Sequence, residues 1–554
     1  MRAPLSQLVA EAVSRCQAEG LLRPGPVPPI TIEVPKNPAH GDYACNVAML
    51  LAPEQGRPPR ALAETIIGRL ETPEGLLRQV EIAGPGFINF HMHEAYWQGL
   101  LREVEEGGDH YGHASWGAGR RVQVEFVSSN PTGPLHVGHG RGAALGDVIA
   151  NLLRAVGFRV HREYYINDVG RQIDLLGRSV YLRLQELLGQ PVEFPEDHYR
   201  GAYIGEIARA VLDSLGPNLV VLPEREARAI CAEEAASRIL EGMKKDLADF
   251  GVTFDTWFSE RALEEAGEIR RGIEELQGRG FVYEKEGALW FRSTEFGDEK
   301  DRVAVRSNGE TTYFASDIAY HRSKYQRGFE SLVNVWGADH HGYVPRMQAA
   351  VQALGYPKES LRIIVIQMVS LLRAGRPVPM STRGGEFVTL REVLDEVGRD
   401  AARYFYLLRR ADTHLDFDLE LAKRQSSDNP VYYVQYAHAR ICSVFRQAGE
   451  RGVALSPAMD VEAARLELPE ELRLLKLLGR YPEVVSGAAA ALEPHRLTYY
   501  LHELCDEFHR YYNRHRILTE DPGLTAARLA LICCVRTVLA GALGLLGVSA
   551  PETM

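Results

Sequence analysis

The sequence predicts a multidomain α/β protein: a doubly wound parallel sheet carrying an insertion, preceded by a small α+β unit and followed by an all-helical unit. Three observations carry this expectation. The chain has 554 residues, enough for about three or four domains at roughly 150 residues each. Residues 121–166 read as strand, loop, helix and strand, the building block of a parallel sheet that holds ligands at the carboxyl ends of its strands. Beyond about residue 400 the apolar spacing turns largely helical.

Composition narrows the class. Lys plus Arg number 63 against 74 Asp plus Glu, a formal net charge of −11, and 45% of residues are hydrophobic. Disordered, collagen-like and disulfide-scaffold proteins are excluded. Seven cysteines lie scattered with no Cys-x-x-Cys pair, which points away from a zinc half-site and towards a reducing, cytoplasmic setting. No segment is expected to be long and apolar enough to span a bilayer: the best candidate, Leu529 to Val548, is broken by Arg536 and is expected as a buried helix. Arg2 and Glu11 flank no apolar run of signal-peptide length, so neither export nor membrane attachment is expected.

In chain order, Leu5, Leu8, Val9 and Val13 sit at helix spacing, and a Pro-rich stretch leads into the strand-like ITIEV. The loop NPAHGDYACN follows, then two short alternating runs around Gly84-Pro85-Gly86, and GGDHYGHASWGAG reads as a linker with a boundary near 115. Val122, Val124 and Phe126 alternate as a strand. Leu145, Val148, Ile149, Leu152, Leu153 and Val156 mark the next helix, with Gly157 at its C-terminus and FRVHREYYIN as the returning strand. Residues 175–300 read as an insertion of long charged helices and short aromatic strands. TTYFASDIAYH, SLVNVWGADHHG and LRIIVIQMVS are three further strand candidates that return to the first sheet. The expected units are therefore 1–115, 116–400 with the insertion at about 175–300, and 401–554.

The strongest local signal is His136-Val137-Gly138-His139, between a strand and the first turn of an amphipathic helix. Two imidazoles three residues apart project to one side, Gly138 admits a flat base or ribose, and the helix dipole favours phosphate. The pattern therefore points to a nucleotide phosphate, whose oxygens the rings can meet as donors during adenylyl transfer. The spacing of Gly138, Gly140, Gly142 and Gly146 is not that of a dinucleotide fingerprint. His340-His341, expected on a strand, would point to opposite faces and lacks further partners at ligand spacing, so no metal site is expected.

The block VEFVSSNPTGPLHVGHGRGAALGD, then REYYINDVGRQ, FRSTEFGDEKDRV, YFASDIAYH, NVWGADHHGY, VTLREVLDEVGRDAARYF and NPVYYVQYAHARICS closely resembles bacterial arginyl-tRNA synthetases, a class I family. The resemblance spans nearly the whole chain, including HGDYACN, GPGFINF and the terminal GVSAPETM. It implies a Rossmann-type catalytic domain, an N-terminal domain that touches tRNA, an anticodon-binding helical domain, and a cytoplasmic monomer. Its substrates would be L-arginine, ATP with Mg2+, and tRNA(Arg).

The resemblance also assigns residues. His136, Gly138 and His139 form the first ATP signature, and Pro379-Met380-Ser381-Thr382-Arg383 stands where a second, Lys-Met-Ser-Lys, is usual. Pro379 and Thr382 replace both lysines, leaving Ser381, Thr382 and Arg383 to serve the phosphates, with Arg373 and Arg376 as further upstream candidates. Some relatives lacking the second lysine carry one just before the first signature, where this chain has Gly133. A guanidinium substrate calls for bidentate carboxylates; Glu125, Glu260 and Asp317 match, together with Tyr313, and Ser128 and Asn130 match positions beside the α-amino and carboxylate groups. Phe87 and Asn89 match the surface meeting the tRNA D-loop. Tyr436, Arg440, Tyr511 and Arg514 are the aromatic and cationic candidates for the anticodon side. Two alternatives stay open on the sequence: a catalytically silent tRNA-binding paralogue, given the replaced lysines, and a nucleotidyltransferase, given HVGH taken alone.

Overall fold

The computed structural model describes residues 2–378 and 387–554. Its centre is a five-stranded parallel sheet in the order Leu361–Ile366, Ser331–Gly337, Arg121–Glu125, Arg159–Ile166, Thr256–Ser259. Helices cover both faces, so the strands bury side chains on both sides: Val122, Gln123, Val124 and Glu125 are all buried. The strand Arg121–Glu125 has the second strand in sequence on one side and the fourth on the other. That reversal opens a crevice beyond its carboxyl end, the usual ligand position in such sheets.

The helix Val137–Ala155 makes the first crossover, with Leu145, Val148, Ile149 and Leu152 facing the core. Gly146 lets it lie directly on Phe126, because a Cβ there would run into the ring. The insertion between the second and third strands holds the helices Arg171–Leu187, Ala202–Leu215 and Glu224–Asp249. A second, antiparallel sheet of Val282–Lys285, Ala288–Phe291 and Arg302–Val305 follows the third strand.

Residues 2–92 form a small four-stranded antiparallel sheet, order Ile32–Glu33, Tyr43–Cys45, Phe87–Met92, Leu77–Ala83, backed by the helices Arg2–Ala18, Val47–Gln55 and Pro59–Ile67. The helix Glu94–Gly107 then packs against the C-terminal helices Pro469–Ala491 and Pro522–Leu546. Tyr111 donates its hydroxyl to Leu478 O at 3.0 Å, and Lys476 pairs with Asp42 at 2.5 Å. The segment expected as a linker is instead fastened: the amides of Ala114, Gly117 and Gly119 bond to the carbonyls of Ala155, Val156 and Gly157 at 2.8–2.9 Å.

Arg403 ties three regions together. Fully buried, its guanidinium meets Asp147 Oδ2 at 2.6 Å on the first crossover helix. It also donates to Phe250 O at 3.1 Å, just past the insertion's long helix, and to Leu546 O at 3.0 Å, at the end of the last helix.

Three expectations need correction. TTYFASDIAYH is not a strand: Tyr313–Gln326 is a helix in which Phe314, Ala315, Ile318 and Ala319 are buried at helical spacing. Its aromatic and small residues imitate a short buried strand until that spacing is counted. His340 and His341 lie not on a strand but in the short 3-10 segment Ala338–Tyr343. Finally, Pro522–Leu546 is long and apolar enough, by length and composition, to cross a membrane, with a mean hydropathy of 2.2 over its best window. In the fold 61% of that window is buried, and Arg528 within the helix pairs with Glu471 at 2.9 Å.

Candidate active site

His136 is the N-cap of the helix Val137–Ala155. Its Nδ1 accepts the amide of Gly138 at 3.1 Å, His139 Nδ1 accepts the amide of His136 at 3.2 Å, and the two rings stack 3.7 Å apart. Each ring therefore uses Nδ1 as an acceptor, which leaves its proton on Nε2. Burial pushes both pKa values down, His139 to about 3 with His136 adding to the effect. The pair is thus a set of neutral N–H donors at the positive end of a helix, suited to phosphate oxygens.

The backbone on the far side of residues 379–386 is pinned to this motif. Val137 N donates to Val388 O at 3.1 Å, Leu390 N to Leu135 O at 2.7 Å, and the Phe387 ring stands 6.1 Å from that of His136. Met380, Ser381, Thr382 and Arg383 lie outside the described residues. Arg373 is already taken, forked onto Glu396 at 2.6 and 2.8 Å, so it is not a free phosphate ligand.

At the mouth of the crevice the chain leaves the strand Arg121–Glu125 through Val127 and Ser128, both at positive φ (69° and 41°). Such strain costs about 1–3 kcal/mol per residue and gathers at functional sites. It turns Ser128 back so that Oγ donates to Glu125 Oε1 at 3.2 Å and accepts the amide of Tyr165 at 3.2 Å. Asn130 Nδ2 meets Gln172 at 2.6 Å.

Three carboxylates converge here from three elements: Glu125 at the end of the first strand, Glu260 just after the third, and Asp317 on the helix Tyr313–Gln326. Burial, reinforced by the charges of Glu125 and Glu260, pushes Asp317 up to about 7 against the opposing bond from Tyr343 Oη at 2.5 Å. Burial likewise raises Glu260, offset in part by bonds from Ser316 and Tyr165. Among the described residues, neither Asp317 nor Glu260 has an ion-pair partner. Tyr313, 62% exposed, stands at the start of the same helix. The pocket suits a planar cationic group that satisfies both carboxylates through several donors.

Glu125 differs from the other two, because Lys324 already pairs with it at 2.5 Å. Sequence reasoning misses Lys324, along with Tyr165, Ser316 and Tyr343. The available signal was a stripe of Asp317, Tyr320, His321 and Lys324 at helical spacing, legible once the segment is read as a helix.

The proposed tRNA-facing residues fare unevenly. Phe87 is exposed, but Asn89 is buried with Nδ2 turned to Glu81 at 3.5 Å, so its side chain does not reach the surface. Tyr436 is partly exposed under the Arg440 guanidinium, which lies 4.6 Å from its ring centre and also 4.7 Å from that of Tyr512. Arg514 is exposed beside Glu470 at 3.3 Å. Tyr511 is corrected: it is 0% exposed and donates to Glu471 Oε1 at 3.0 Å, a core residue that cannot stack on a base.

Comparison with known proteins agrees along the chain. Three family models match: the arginyl tRNA synthetase N terminal domain over 3–92, the tRNA synthetases class I (R) catalytic domain over 107–406, and the DALR anticodon binding domain over 434–554. The arginine–tRNA ligases of Syntrophotalea carbinolica and of a Geobacter strain are 56% and 55% identical, each over the whole of both chains. The arginyl-tRNA synthetase of Thermus thermophilus superposes with a TM-score of 0.78 at 25% identity, covering all of both chains. With a histidine-capped helix and an acidic pocket at the switch point of its sheet, the chain belongs to the class I arginyl-tRNA synthetase family.

Proposed function

We propose that this chain ligates L-arginine to tRNA(Arg) with ATP, and that the residues above carry the two steps. The observation that bears most weight is the pair of carboxylates, Asp317 and Glu260, whose charged forms burial disfavours and which have no cationic partner among the described residues. The guanidinium of arginine supplies the missing charge, with Tyr313 over it and Ser128 and Asn130 beside the α-amino and carboxylate groups. The carboxylate attacks the α-phosphorus of ATP in line, giving arginyl-adenylate and pyrophosphate. A terminal ribose hydroxyl of tRNA then attacks the activated carbonyl and AMP leaves.

His136 and His139 donate through Nε2 to the phosphate oxygens as charge rearranges, and Gly138 gives the nucleotide access to the backbone. Ser381, Thr382 and Arg383 serve the outer phosphates in place of the two lysines, with Met380 beside the nucleotide. Mg2+ enters as part of the ATP substrate. Residues 1–115 and 401–554 bind tRNA through Phe87, Tyr436, Arg440 and Arg514, and 116–400 perform the chemistry. In this reading the chain works as a cytoplasmic monomer.

The test is exchange of labelled pyrophosphate into ATP with each of the twenty amino acids, with and without total tRNA. Exchange is expected for arginine alone and only with tRNA present. A sample that binds tRNA yet exchanges with no amino acid would overturn the reading in favour of a silent paralogue.

A further inference from the structure

Lys324 is fully buried on the helix Tyr313–Gln326, about two turns beyond Asp317. Its ammonium donates to Glu125 Oε2 at 2.5 Å and to Asn334 Oδ1 at 3.2 Å, and stands 4.2 Å from the Tyr320 ring centre. Its surroundings are fixed in turn. Asn334 Nδ2 donates to His321 Nε2 at 2.9 Å, and His321 Nδ1–H donates to Asp317 O at 2.8 Å. Tyr320 Oη donates to Glu163 at 2.7 Å, and Arg327 forks onto that same carboxylate at 2.6 and 2.8 Å.

A buried lysine is expensive to place, and here it sits beside a pocket that has to attract a cation. Simple attraction gives no reason for it, since its charge opposes the incoming guanidinium. Orientation does. Ser128 holds one oxygen of Glu125 at 3.2 Å and Lys324 holds the other, so this carboxylate is locked by two bonds while Asp317 and Glu260 are left for the ligand.

We propose that Lys324 is a positioning residue for arginine: by occupying Glu125, it fixes that carboxylate and confines the pocket to one external cation, taken by Asp317 and Glu260. This rests on the arginine-pocket reading above. Without Lys324, Glu125 turns into the pocket and offers a second place for positive charge. The guanidinium then loses its single seat, and compact ammonium side chains gain one.

The experiment measures pyrophosphate exchange by the full chain with tRNA for wild type, Lys324→Met, Glu125→Gln and the double variant. Lys324→Met is expected to raise the KM for arginine about 10- to 100-fold, the range of a hydrogen bond to a charged group. The KM for ATP should not move, and exchange with lysine or ornithine should rise relative to arginine. Because Lys324 acts through Glu125, the double variant should have the arginine KM of Glu125→Gln alone. If Lys324→Met does not fold, the double variant, which leaves no lone buried charge, still decides the matter against Glu125→Gln. An unchanged arginine KM in Lys324→Met, or effects that simply add, would overturn the proposal. A wild type inert towards arginine overturns the pocket reading and this proposal together, whereas an active wild type with an unmoved variant overturns this proposal alone.

Discussion

Lowering the pH from 8 to 6 is expected to raise the KM for arginine about tenfold and to leave the KM for ATP where it was. The difference comes from Asp317, which burial and the charges of Glu125 and Glu260 push up to about 7, against its bond from Tyr343. A guanidinium pairs only with its ionised form. With a midpoint near 7, about nine-tenths of the molecules hold Asp317 ionised at pH 8 and about one-tenth at pH 6, a ratio of roughly ten. Glu260 is shifted upward by burial too and steepens the dependence at lower pH. His139 does not enter this range, because burial has moved it down to about 3, and burial moves His136 downward as well.

The same shift has a stability consequence. A carboxyl whose folded pKa lies above its unfolded value stabilises the protein below that unfolded value, and the contribution is lost as pH rises through the folded pKa. Empty protein therefore loses stability between about pH 4 and 7 at this residue, and bound arginine returns the missing positive charge. Arginine is expected to raise the thermal midpoint more at pH 8 than at pH 6. Arginine-dependent exchange rates at pH 6, 7 and 8, with saturating tRNA and a parallel ATP series, measure the first effect and thermal shift the second. An arginine KM that stays flat across this range, or the same tenfold change in Asp317→Asn, would refute the assignment.

Three other perturbations test separate parts of the molecule. His136→Ala removes one Nε2 donor and the cap on Gly138, so adenylate formation should fall by about 100- to 1000-fold with tRNA affinity intact; an unchanged single-turnover rate would remove it from the reaction. Arg403→Met leaves Asp147 with Arg162 alone, at 3.2 Å, and strands the carbonyls of Phe250 and Leu546; with part of the pair kept, the cost should fall at or below the low end of the about 3–5 kcal/mol of a broken buried pair, to be read as a lowered urea midpoint; wild-type resistance would show that other contacts carry the junction. Tyr436→Ala should weaken tRNA binding by about 1–3 kcal/mol if a base stacks there. Tyr511→Phe, which loses only the bond to Glu471, should leave tRNA affinity unchanged in the same filter-binding assay.

What could be read from the sequence follows the range of the interactions involved. The β-α-β unit was legible because alternation in Val122 and Val124, and helical spacing from Leu145 to Val156, are local patterns. The histidine cap was legible for the same reason, since all its bonds close within three residues. The segment holding Asp317 was misread as a strand, because a helix buried on most of its circumference loses the polar face that normally marks it. The pairing of Lys324 with Glu125 joins residues 199 apart in sequence, and no local pattern announces such a contact. Tyr511 illustrates the opposite error: aromatic and cationic residues on one helix suggested a nucleic-acid face, while the packing of Glu471 and Arg528 around its hydroxyl put it in the core.

Arg403 also bears on how the molecule can be divided. The family matches end one region at 406 and begin the next at 434, which invites dissection into modules. Yet a fragment stopping at 406 would keep the guanidinium and lose the Leu546 carbonyl that receives it, while uncovering the faces of the crossover helix that the last helices cover. The amino-terminal portion rests on the carboxyl-terminal helices through Tyr111 and Lys476, so cutting there would detach two portions at once. The chain closes on itself like a ring whose clasp lies in its final turn of helix, and synthesis has to reach residue 546 before that clasp can shut.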